Sequence, residues 1–156
     1  MQSSKNALII TGPQGSGNHL FSKVMSLHPA VHGWAELNKT YWIGHDEEPY
    51  AKFWRNPDSI LEHDWTDVDN LVTSISCPYI DDGVESIPKY LHFIEKLSMV
   101  GFNVQVAIIG RDTNILSYQQ KRVRGKVTKD KFIEGVKSLL LFNSIFISTE
   151  LLYLYK

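Results

Sequence analysis

Gly12-Pro13-Gln14-Gly15-Ser16-Gly17-Asn18-His19, entered from the apolar run Ala7-Leu8-Ile9-Ile10-Thr11 and left through the helical-looking Leu20 to Leu27, decides the fold. A short continuous apolar run ended by glycine is the pattern of a strand buried on both faces of a parallel sheet. Small residues after such a strand let successive backbone N–H groups turn toward an anion, and the helix that follows adds its partial positive N-terminus. The stretch therefore reads as a phosphate-binding loop, with Gln14, Gly15, Ser16, Gly17, Asn18 and His19 as its candidate lining; the plain alternative is a glycine-rich turn. Against the nucleoside-triphosphate pattern G-x-x-x-x-G-K-[ST], Gly12 and Gly17 fit, but Asn18 stands in place of the phosphate-reaching lysine and His19 in place of the magnesium-holding hydroxyl.

Outward from the loop, a helix is expected from about Gly17 to His28, with Leu20, Phe21, Val24, Met25 and Leu27 at helical spacing and Pro29 as its stop. Residues 31–70 form an irregular, aromatic-rich insertion holding all four tryptophans, Trp34, Trp42, Trp54 and Trp65. Aromatic faces stack on planar or apolar acceptors, so a lid is one reading; a small private core for a long loop is the favoured one. Leu71 to Ser76 reads as a second strand broken at Pro78, with a turn at Asp81-Asp82-Gly83. A helix starting near Ser86 would place Ile87, Leu91, Ile94 and Leu97 on one face, tolerate Pro88 in its first turn and end at Gly101. Val104 to Ile109 is a third strand, helices follow over Thr113–Arg122 and Thr128–Leu141, and Ile145–Ser148 is the last strand. This alternation predicts one α/β domain over residues 1–156, three layers α/β/α with a mostly parallel sheet.

With 156 residues and a formal net charge of -1, the chain is expected to bury a real core and to bind neither nucleic acid nor an acidic membrane through bulk charge. The single cysteine, Cys77, the polar start Met1-Gln2-Ser3-Ser4-Lys5 and the lack of any apolar run of about 20 residues predict a soluble cytoplasmic protein. His28 and His32 are four apart, but Pro29 breaks the helix that would align them, so no metal site is expected. The run Lys121 to Lys126 reads as a basic helix end complementing the dipole, or as a reach toward an anion.

In parallel α/β sheets ligands bind beyond the carboxyl ends of the strands. Arg111, just past the third strand, is placed to fork onto a phosphate, and Ser117 to add a hydroxyl if its helix points that way. Thr149-Glu150-Leu151-Leu152 follows the last strand, where Glu150 alternatively braces the sheet.

These stretches together resemble the sulfotransferase family, which transfers sulfuryl from 3′-phosphoadenosine 5′-phosphosulfate (PAPS). The family's loop P-K-S-G-T-T-W-L resembles Pro13 to Leu20; its R-D-P-x-D with S-x-Y looks like Arg111-Asp112 with Ser117-Tyr118; its Y-E-D-L is similar to Thr149 to Leu152. His28-Pro29 followed by Glu36 matches the H-P and acidic residue common there. The resemblance implies a P-loop-like fold, PAPS as cofactor without a metal, Arg111 and Ser117 on its 3′-phosphate, and a small-molecule or carbohydrate-type hydroxyl or amine acceptor. It implies Glu36, with His45 as the other candidate, as the base, and His19 in the absent lysine's role. The departures are Gln14 nearest the lysine's place, an extra loop glycine, an arginine-to-serine spacing two residues short, and an end six residues after Glu150, which together suggest a divergent, shortened member. Two other readings stand beside it: a catalytically degenerate nucleotide-binding or scaffold protein, and a nucleotide kinase or NTPase, for which Asp112 is the one weak magnesium ligand.

Overall fold

Four parallel strands in the order β2-β1-β5-β6 carry the molecule: β1 (Lys5–Pro13), β2 (Asn70–Cys77), β5 (Phe102–Gly110) and β6 (Ser144–Ser148). The computed structural model describes residues 5–34 and 43–151. β1 is flanked on both sides, by β2 with Ile9 opposite Thr73 and by β5 with Ile9 opposite Val106. Its apolar run therefore needs no alternation.

The first crossover, through α1 (Asn18–Met25), joins β1 to β2; the second, through α3 (Tyr90–Met99), carries the chain from β2 back past β1 to β5. Right-handed crossovers in opposite directions put their helices on opposite faces. Phe21 of α1 accordingly packs on Ile10, Val72, Ala107 and Ile109, whereas Phe93, Ile94 and Leu97 of α3 pack on the other face, among Ala7, Ile9, Val106 and Ile108. The direction of winding reverses between β1 and β5, which opens a crevice at their carboxyl ends. Helices α4 (Thr113–Arg124) and α5 (Lys129–Val136) then lead to β6. Asp112 caps α4 through Oδ1, which accepts from the Asn114 and Ile115 amides, and Gly125 ends it at φ +72°.

Several boundaries differ from the sequence reading. α1 stops at Met25, and it turns Asn18 and Ser22, not its leucines, toward the sheet; Leu20, Val24 and Leu27 are exposed. Small polar side chains let this short helix lie close to the strands. The region expected to open a helix at Ser86 is instead the second arm of a hairpin, β3 (Tyr79–Asp81) with β4 (Val84–Ser86), turned by positive φ at Asp82 and Gly83. Its cross-strand pairing claims the backbone through Ser86, so the helix begins at Tyr90, after Pro88. Tyr90 and Phe93 take the core positions and leave Leu91 outside. The expected Thr128–Leu141 helix is α5 followed by a 3₁₀ turn, Leu139–Leu141.

The aromatic segment is packing material on the α3 side. It comprises a 3₁₀ turn (His45–Glu47), α2 (Ala51–Arg55) and a further 3₁₀ stretch (Pro57–Glu62). Trp34, Trp54 and Trp65 are buried, while Trp42 lies outside the described residues. Trp54 stacks on Phe93 with ring centroids 3.7 Å apart and donates its Nε1–H to Thr73 Oγ1 at 3.1 Å, and Trp65 Nε1 donates to Ile60 O at 2.8 Å. Trp54 and Trp65 thus each satisfy their one donor while burying their rings, whereas the buried Nε1 of Trp34 has no partner among the described residues. Among the described residues no helix is long and apolar enough to cross a membrane.

The tightest backbone approach is at Gly12, where a Cβ would lie 2.4 Å from Ile109 O and 2.6 Å from Ser16 Oγ. Gly12→Ala is expected to cost about 1–3 kcal/mol, the range for overpacking. A fall in the urea midpoint at unchanged slope is the check.

Candidate functional site: an amide cradle at the switch point

The loop leaving β1 is built by disposing of its carbonyl groups. Gly12 O accepts from Asn18 Nδ2 (3.2 Å), Pro13 O from the Ser16 amide (3.1 Å) and Gln14 O from Gln120 Nε2 (2.7 Å). Gly15 O accepts from Arg111 Nη1 (2.8 Å), Ser16 O from the Thr149 hydroxyl (2.6 Å) and Gly17 O from the Phe21 amide (3.1 Å). Six consecutive carbonyls are therefore paired with the surrounding protein. Among the described residues the amides of Gly15, Gly17 and Asn18 have no such acceptor. Gly15 and Gly17 stand at φ +90° and +100°, which turns the amides away from the carbonyls and which only glycine adopts freely. Carbonyls out and amides in, at the start of a helix, is the donor arrangement of an anion site.

The sequence-proposed loop residues divide accordingly. Gly15 and Gly17 contribute backbone. Ser16 and Asn18 are buried and fill the loop from within: Ser16 Oγ donates to Asn18 Oδ1 at 2.9 Å, and Asn18 Nδ2 also lies 3.1 Å from Ser76 Oγ at the end of β2. Asn18 thus ties the ends of β1 and β2 together rather than reaching outward as a lysine would. Gln14 is a correction. Its side chain is buried away from the cradle, with Oε1 accepting from Thr128 Oγ1 at 3.1 Å, while Gln120 Oε1 accepts from the Thr128 amide at 2.9 Å. Gln14 anchors the loop to the α4–α5 junction and offers a ligand no side chain.

Arg111 closes the cradle from the β5 side. Its Nη1 donates to Gly15 O and also to Gln119 Oε1, whose side chain packs over Gly15. Nε lies 4.0 Å from Glu150 Oε1, and the side chain is 28% exposed. A guanidinium carries five N–H donors, so Arg111 keeps hydrogens for a ligand oxygen while bracing the loop. Ser117 is not brought to this site. Its hydroxyl donates to Thr113 O at 2.7 Å, and it lies about 200° around the helix from Gln119. Glu150 braces the sheet: Oε1 accepts from the Asp112 amide and Oε2 from Ser148 Oγ, both at 2.9 Å. The Asp112 N–H first, then the Ser148 hydroxyl and the Arg111 charge, hold its carboxyl below the usual range.

On the β2 side, His19 Nε2 lies 2.8 Å from Glu48 Oε1, with the His19 ring 5.6 Å from that of Trp34. Glu48 is a buried carboxylate that the sequence reading did not single out, since an acidic residue in a polar loop carries no signal of burial. Glu36 and the side chain of His45 lie outside the described residues. Gln119, Gln120 and Thr128 were missed as loop partners because no local pattern marks them, and Thr149, which the sequence reading named after the last strand, was given no such role.

The class defined by this fold is a doubly wound parallel α/β domain with a glycine-containing loop at its switch point. Comparison with family models, curated proteins and solved structures found no match.

Thr149→Val keeps the shape but leaves Ser16 O without its donor, and is expected to cost about 1–3 kcal/mol in chemical denaturation. The lowered pKa of Glu150 contributes stability that is present above the ordinary glutamate value of about 4.3 and is lost as pH falls through the lower folded value. Protection of the Asp112 amide from exchange is therefore expected to fall on acidification through that range, a step that Glu150→Gln should not show.

Proposed function

We propose that the cradle binds the phosphate end of a PAPS-type nucleotide and that the protein transfers sulfuryl to a hydroxyl or amine acceptor, as in the sulfotransferases its motifs resemble. The observation that carries the reading is the pairing of every carbonyl from Gly12 to Gly17 while loop amides stay free of acceptors, with the Arg111 guanidinium at the rim. Such an array is preorganised for negative charge and needs no rearrangement as charge develops on a departing phosphate. Beside Arg111, Pro13, Leu116, Phe132 and Ile133 line an apolar hollow suited to a flat heterocycle. The cofactor, when bound, supplies the sulfuryl group and a stable phosphate leaving group. The chain's part is to hold that phosphate on the amides of Gly15, Gly17 and Asn18, to orient it through Arg111, and to receive the acceptor's proton. The O–S or N–S bond to the acceptor forms as the bond from sulfur to the phosphate oxygen breaks. Glu48, paired with His19 beside the loop, stands as the proton acceptor among the described residues; Glu36 and His45 remain the proposals from the sequence.

A second reading, nucleotide binding without turnover, is favoured by one feature: Asn18, at the lysine's place, is spent on Gly12 O and Ser76 Oγ. The same feature disfavours a kinase or NTPase, which needs a cation there.

Thermal unfolding with 3′-phosphoadenosine 5′-phosphate, with ATP and magnesium, and with ADP separates these. A ligand at a hundredfold excess over its Kd stabilises by about 2.7 kcal/mol. The expected result is a shift with the 3′-phosphorylated nucleotide alone, weakened by about 1.5–3 kcal/mol in Arg111→Ala. No response to any of the three overturns the proposal, and a response to ATP with magnesium alone favours the NTPase. Sulfuryl transfer to a panel of alcohols and amines then divides catalysis from binding.

A further inference from the structure

The apolar hollow beside Arg111 lies where the winding of the sheet reverses, and four parts of the fold line it. Pro13 comes from the end of β1, Arg111 follows β5, Leu116 belongs to α4, and Lys129, Phe132 and Ile133 belong to α5. Crevices at the carboxyl ends of parallel strands, mostly apolar with a few convergent polar groups, are where such folds take small molecules. The volume of this one is about 210 Å³. An apolar cavity of about 150 Å³ holds a benzene molecule, so the hollow has room for a single ring and a small substituent.

Charge narrows the occupant, because both charged residues of the lining are cations. Arg111 spends Nη1 on Gly15 O and Gln119 Oε1, and its Nε lies 4.0 Å from Glu150 Oε1, but Nη2 makes no hydrogen bond among the described residues. Lys129 is half-buried in the first turn of α5 and forms no ion pair among the described residues. No carboxylate belongs to the lining: Asp112, next to Arg111, is turned to the amides of Asn114 and Ile115, and Asp130, next to Lys129, is exposed. Two half-buried cations with no carboxylate between them attract an anion, and the apolar walls bury the ring that carries it. A carboxylate suits both: it accepts from a guanidinium N–H in its plane and from an ammonium brought in on a flexible stem.

We infer that this hollow binds a small aromatic acid, its ring against Leu116, Phe132 and Ile133 and its carboxylate between Arg111 and Lys129. That the acid shuts a nucleotide's heterocycle out of the same hollow, and so competes with the cofactor, rests on the function proposed above. Its binding does not, and the test uses no nucleotide. The failure of this site and the failure of the nucleotide site are thereby separately visible.

The probes are benzoate, benzyl alcohol, benzylammonium and acetate, which vary the head group on one ring and then remove the ring. Each is titrated into the isotopically labelled whole chain, and the amide resonances of Lys129, Phe132 and Ile133 are followed beside those of Gly15 and Gly17. The expected result is saturable shifts along α5 with benzoate, at least about tenfold tighter than with benzyl alcohol or acetate, and none with benzylammonium. A hydrogen bond to a charged group and the burial of a ring are each worth about that factor. Lys129→Met keeps the apolar stem and removes the charge, and is expected to weaken benzoate about tenfold. Ile133→Ala, at a helix position 53% exposed where alanine is well tolerated, is expected to weaken it several-fold. Benzyl alcohol or acetate binding as tightly as benzoate, saturable binding of benzylammonium, shifts confined to Gly15 and Gly17, no response to benzoate, or unchanged affinity in either variant overturns the inference.

Discussion

The structure turns on the need to pair the backbone of one short loop. Six carbonyls at the exit of β1 point away from the crevice, and each finds a donor, but only three donors are local: the Asn18 side chain and the Ser16 and Phe21 amides. The other three arrive from α4, from the start of the β5–α4 connection and from the residue after β6. A buried carbonyl without a partner costs about as much as a broken hydrogen bond, so the loop holds its shape only when the rest of the sheet is assembled. The same pairing leaves the amides facing the crevice. Folding and site construction are one requirement here.

The position of that loop follows from the winding. β1 lies inside the sheet, and the crossovers from β1 to β2 and from β2 to β5 run in opposite directions, so the ends of β1 and β5 are not roofed by a helix. Arg111 reaches Gly15 across this gap, and Thr149, bonded through its amide to Gly110 O, extends the β5–β6 ladder far enough to hold Ser16. The α3 face is supported differently, by aromatic residues: Trp54 is locked between Phe93 and Thr73, and this holds α2 against the sheet and α3.

Charge follows the same division. Arg111 and the loop amides gather hydrogen-bond donors on the β5 side, while Asp46 and Glu48 place carboxylates on the β2 side. His19 stands at the boundary, on the first turn of α1 with its ring turned to Glu48.

The four parallel strands, the loop and the helix after it were legible in the chain because each is a local pattern: continuous apolar runs for buried strands, and glycines at Gly15 and Gly17 where left-handed backbone is required. Arg111 was legible by its place after a strand. What only the tertiary structure decided was the direction of side chains and the partners of polar groups. α1 turns Ser22 inward and Val24 outward, against its hydrophobic pattern; Val84–Ser86 joins a hairpin because a partner strand is there; Gln14 faces Thr128 and Ser117 faces its own helix. Local sequence sets which backbone shapes are accessible, because sterics act between neighbours. Which polar atom meets which, across separations as long as that from Ser16 to Thr149, depends on packing that no local pattern contains.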